Sequence, residues 1–259
     1  MNRKPAGAPT TRRRKGSVGT VADLRARLGR ARARGMPRAL EDRGRRILDD
    51  WLAAEDRRGR PVAQVVQDLT AGEAARLLAA TTEAQIRAGN PPELAHAVCS
   101  AGCAFCCIML EGDGGLITEA EALAVHAALA PLAGQPDGRT WTPLACAALD
   151  PASRMCRAYD ARPTVCRSFL SSDVDACRIN AVGGDADGSG LLGNHLDYLA
   201  ILALSRDLLK DVAKVRTYAL DRLAIAAVEG LAAGAALAAA RHSTAELAET
   251  CEDIGGSAV

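Results

Sequence analysis

Apolar positions recur at three- and four-residue spacing along most of the chain, which is the period of a helix face. In residues 21–54 the pattern runs through Leu24, Leu28, Ile47 and Trp51, broken at Gly35, Pro37 and Gly44, and predicts short basic helices. Thr70 with Glu73 reads as a capping box ahead of Leu77 and Leu78, and Gly89, Asn90, Pro91 and Pro92 stop that helix. A short helix is expected from Pro92 to about residue 98. Another box, Thr118 with Glu121, opens a helix that ends near Ala130, before Pro131. Residues 196–212 and 218–240 carry long amphipathic patterns, and Ser243 with Glu246 caps a last short helix. Residues 99–190 hold little other periodicity, and 183–194, GGDADGSGLLGN, reads as a glycine-rich connection. The expected fold is mainly α, with helices flanking an irregular, metal-stapled, cysteine-rich core. Three segments follow: a basic, partly disordered extension (1–60), a cysteine-cluster metal-binding domain (61–190) and a helical C-terminal segment (191–259).

Composition agrees with helices. Of 259 residues 54 are alanine and only seven are aromatic, which excludes an all-β protein. The charge-free run at 230–240 is 11 residues long, well short of the ~20 a spanning helix needs, so no membrane partner is expected. The formal charge of +1 conceals a split, with residues 1–46 at +12 and the remainder at −11. Residues 1–20 have no apolar period and read as a disordered tail, open to a non-specific anionic partner. The run Arg12, Arg13, Arg14, Lys15 is followed by no apolar stretch of a secretion signal, so the cytoplasm is the expected compartment. Thiols there are reduced, and metal ligation is favoured over disulfides.

The nine cysteines carry the chemistry. Cys99, Cys103, Cys106 and Cys107 form a C-x3-C-x2-C-C run, and Cys146, Cys156, Cys166 and Cys177 follow at wider intervals. Eight soft donors suit zinc or an iron–sulfur cluster, as one site or two. Adjacent Cys106 and Cys107 are expected to point apart, which suits a polynuclear site or two sites and tilts the choice towards iron. Cys251, alone in a polar tail, reads as an inert buried thiol. Arg157, Arg167 and Arg178 each follow a cysteine directly, with Arg154 and Arg162 nearby. Guanidinium groups there would offset thiolate charge or hold a carboxylate or phosphate substrate. His96 and His195 are weaker ligand candidates, and Asp173 and Asp175 read as turn residues. Gly188-x-Gly190-x-x-Gly193 lacks the preceding strand of a dinucleotide site, and the acidic loop at Asp185 lacks the twelfth-position glutamate of a calcium site.

The string from Cys99 to Cys107, the segment Leu116-Ile-Thr118-Glu119-Ala-Glu121, and the run Cys156-Arg-Ala-Tyr159-Asp-Ala-Arg162-Pro163-Thr-Val-Cys166-Arg167-Ser-Phe169 together resemble the YkgJ-type cysteine-cluster family. That resemblance spans about residues 95–180 and implies a zinc- or iron-chelating domain, with the eight clustered cysteines as metal ligands. The family includes flagellin lysine methylases, so an iron-dependent protein-modifying enzyme is the alternative to a metal-binding protein. Cys99-x3-Cys103-x2-Cys106 is also the spacing of radical S-adenosylmethionine enzymes, whose partial α/β barrel needs strands that the following residues lack. The protein or small-molecule partner is not legible in the sequence.

Overall fold

The computed structural model describes residues 18–110, 112 and 114–257. Helices α1 (Val21–Leu28), α2 (Arg38–Arg57), α3 (Val62–Ala71), α4 (Glu73–Gly89) and α5 (Pro92–Ala95) precede the cysteine region. That region contains strand β1 (Leu116–Thr118), helix α6 (Glu119–Leu129), helix α7 (Thr164–Ser168), strand β2 (Phe169–Ser171), helix α8 (Val174–Asn180) and strand β3 (Ser189–Leu191). Helix α9 (Gly193–Leu208), strand β4 (Thr217–Ala219), and helices α10 (Leu220–Val228), α11 (Ala233–Ala240) and α12 (Glu246–Ser257) complete the chain. The protein is mainly helical, as its periodicity predicts. Its described strands form two antiparallel ribbons, β1 with β4 and β2 with β3.

Helix α9 explains the larger core. Its side chains from Asn194 to Ser205 are buried on nearly every face, the signature of a helix surrounded by others. Helices α1, α2, α3, α4 and α12 pack around it, with Leu24, Leu48, Leu52 and Leu69 fully excluded from water. Asp197 is buried on α9 and receives a two-pronged bond from Arg43 of α2, at 2.7 and 3.0 Å. A smaller core forms where α6, α10 and α11 meet the loop at Ala145–Leu149, and it forms one wall of the cysteine region.

Several local expectations change. Gly44 does not break α2, which continues for 20 residues. It lies where α2 crosses α9, and a Cβ there would sit 2.8 Å from the Ala200 Cβ. Thr20 is not a tail residue but the N-cap of α1, in a full capping box with Asp23. The basic run at Arg12 to Lys15 lies outside the described residues. Thr70 caps nothing: it sits inside α3 and its hydroxyl donates to the Val66 carbonyl at 2.7 Å. Gly72, at φ +76°, makes the corner between α3 and α4, and Glu73 pairs with Arg76. The periodic stretch 218–240 is divided. Tyr218 joins the ribbon opposite Ile117, and α10 ends at left-handed Gly230. Gly230 and Leu231 donate back to Ala227 and Ala226, the paired bonds of a Schellman stop. The glycine-rich connection contains β3, whose Gly190 lies opposite Leu170. The caps at Thr118 and Ser243 form as expected.

Candidate metal centre

Backbone pairing brings the two cysteine groups together. Left-handed Gly102 and Ala104 turn the chain into the short 3-10 turn that carries Phe105, Cys106 and Cys107. Past it, Ile108 bridges to Ala145, and the Cys146 amide donates to the Cys107 carbonyl at 2.8 Å. Leu149 bridges in turn to Cys156, so the loop at 150–155 folds Cys156 back towards Cys146. Cys166 stands on α7. The Thr164 amide and hydroxyl at the start of that helix both donate to Glu121 Oε1 at 2.7 Å. Cys177 stands on α8, capped by Asp173, which accepts from the Asp175 and Ala176 amides. At the first end, Val98 donates to the Ser171 carbonyl at 2.9 Å and fixes Cys99 beside β2.

All eight clustered cysteines line one cavity of 380 Å³. Cys146 and Cys177 are buried, Cys103, Cys107, Cys156 and Cys166 half-buried, and Cys99 and Cys106 exposed. Apolar walls come from Met109, Val125, Leu149, Val165 and Leu220. Burial pushes the Cys146 thiol up to about 12, and raises Cys99, Cys156 and Cys166 as well. Cys106 and Cys107 are consecutive residues of the 3-10 turn, and their proton affinities are linked. Interaction with the Cys107 thiol lowers Cys106 to about 7, while interaction with Cys106, together with burial, holds Cys107 well above the ordinary thiol range. Among the described residues no three donors already stand at liganding distance of one point. The donor set fits zinc or iron in its chemistry: soft sulfur ligands on a wall with little competing oxygen.

The arginines divide by role. Arg157 donates to the Pro136 and Ala147 carbonyls, Arg167 faces Glu83 at 3.8 Å, and Arg178 pairs with Asp175. Those three serve the scaffold. Arg154 and Arg162 line the cavity, Arg162 with its guanidinium 3.7 Å from the Tyr159 ring. Arg154 holds φ at +58°, an uncommon conformation for a side-chain-bearing residue. Neither His96 nor His195 lines the cavity; His195 is buried at the start of α9 and stacks on Tyr198. Cys251 lies apart, fully buried in α12 against the larger core.

Sequence reasoning missed Glu121 as anything beyond a cap. Its carboxylate is buried and also accepts from Tyr198 at 2.6 Å, joining α6, α7 and α9. The signal available was its place in a capping box with an acidic residue that the core then covers.

The eight clustered thiols thus share one cavity on a helical scaffold, a donor set whose chemistry suits a soft metal ion. Residues 98–183 match the model of the CxxCxxCC family, described as "Putative zinc- or iron-chelating domain". No curated protein and no solved structure matches the chain.

Proposed function

We propose that this is a metalloprotein that holds zinc or iron through the thiolates of Cys99, Cys103, Cys106, Cys107, Cys146, Cys156, Cys166 and Cys177. The observation that carries the reading is the meeting of both cysteine groups, separated in sequence by α6, on the wall of one cavity. Thiolate ligands release protons on binding metal, and because the unfolded chain offers no preformed site, bound metal stabilises the fold. Adjacent Cys106 and Cys107 suit a polynuclear site or two sites, which favours iron slightly over zinc. An iron–sulfur cluster remains the iron form that these donors suit. The enzyme alternative draws on the cavity mouth, where Tyr159, Arg154 and Arg162 give an exposed, cationic approach. The radical-enzyme reading finds no support in two three-residue ribbons.

Elemental analysis and the visible spectrum of protein purified without oxygen test the proposal. At least one equivalent of zinc or iron is expected, with a brown colour absorbing near ~400 nm if the metal is an iron–sulfur cluster. A colourless, metal-free and fully folded protein would overturn it.

A further inference from the structure

The eight cysteines do not divide as the sequence groups them. Cys99 lies within electrostatic reach of Cys103, Cys106 and Cys177. Cys146 belongs to the smaller core, and Cys107, Cys156 and Cys166 pack against it, whereas buried Cys177 is not part of that core. Backbone geometry gives the same division. The Cys146 amide is bonded to the Cys107 carbonyl, and Leu149 bridges to Cys156, so Cys107, Cys146 and Cys156 are tied at one end of the cavity. Helix α8, which carries Cys177, packs on the turn at Phe105–Cys107 from the Phe105 side, with the Arg178 guanidinium 5.8 Å from the Phe105 ring. Val98, next to Cys99, is bonded to Ser171, just ahead of α8. Both exposed cysteines fall in one set, although its Cys177 is buried. Cys99 and Cys106 are exposed in the first, whereas no member of the second is.

We infer that the cavity holds two four-thiol centres of exchanged membership: an inner one of Cys107, Cys146, Cys156 and Cys166, and an outer one of Cys99, Cys103, Cys106 and Cys177. Each sequence cluster lends one cysteine to the other's centre, Cys107 inward and Cys177 outward. Cys106 faces both, since Cys107, Cys156 and Cys166 also lie within its reach. The inner centre is closed and structural in character; the outer one opens to solvent, where a metal exchanges or meets an external ligand. This inference rests on the metal-binding reading and adds the partition of the ligands.

The test is metal release from the full chain, purified without oxygen, on adding a strong chelator. The wild type is expected to release its metal in a fast and a slow phase of comparable size. Cys177→Ser should abolish the fast phase and leave the slow one, and Cys107→Ser should do the reverse, although sequence order would assign each to the opposite pool. Cys106→Ser should diminish both. Circular dichroism reports whether each variant folds, and if Cys107→Ser does not, Cys177→Ser together with Cys103→Ser decides the matter. A single release phase, or loss of the same metal from Cys177→Ser and Cys166→Ser, would overturn the partition while leaving metal binding intact. Wild-type protein without metal would overturn the underlying reading and the partition with it.

Discussion

Glu121 shows how one side chain binds the site to the scaffold. Its two carboxylate oxygens accept from the Thr118 amide and hydroxyl, the Thr164 amide and hydroxyl, and the Tyr198 hydroxyl. A buried carboxylate survives only when its lone pairs are occupied in this way, and removing it strands every donor. Glu121→Ala is expected to cost about 3–5 kcal/mol in urea unfolding, and Tyr198→Phe about 1.5–3 kcal/mol. Equal, small losses for both would contradict a shared network. His195 adds a pH dependence. Burial lowers its imidazole to about 4, so the native state stays neutral while the unfolded chain takes a proton below ~6.5. Its contribution therefore falls as pH drops from ~6.5 to about 4, by about 3 kcal/mol, and is level outside that window. The stability gap between wild type and His195→Asn should narrow over that range, and a gap constant with pH would exclude this account. At this scale the cysteines were legible because their type and spacing are rare. Glu121 was not, because its importance lies in Thr164 and Tyr198, 43 and 77 residues away.

Helix boundaries were read well where a side chain encodes them and poorly where packing does. Thr118 with Glu121 has a local hydrogen-bond logic, and the cap forms. Thr70 has the same spacing to Glu73, yet left-handed Gly72 turns the chain between them. Gly44 looked like a helix breaker because propensity alone disfavours it, but its lack of a side chain is what lets α2 cross closely over Ala200. Two glycines test the distinction. Gly44→Ala should destabilise by about 1–3 kcal/mol despite the better helix former, since the added methyl overlaps Ala200. Gly234→Ala in α11, where a Cβ meets nothing within 4 Å, should stabilise by about 0.4–1 kcal/mol. Thermal melts of the two variants should therefore shift in opposite directions. Shifts of the same sign would show that propensity, rather than the crossing, governs Gly44.

The described residues form two helical cores, and part of the cysteine-rich region packs on the smaller one. The larger is built on α9, and the smaller on α6, α10 and α11. No described helix is long and apolar enough to cross a membrane. Mainly helical character was legible from alanine content and periodicity, which act locally. The return of Cys146 to Cys107 was not, because it depends on a bridge between residues 108 and 145 that no local pattern encodes. The family match covers all eight cavity-lining cysteines and most of the apolar wall, with Leu220 of α10 outside it. The central claim is that metal sits among thiols drawn from both cysteine groups. X-ray absorption at the zinc or iron edge of the as-purified full chain measures that coordination directly. A first shell of about four sulfurs per metal, near ~2.3 Å for zinc, is the predicted result; a shell dominated by oxygen or nitrogen would contradict the account.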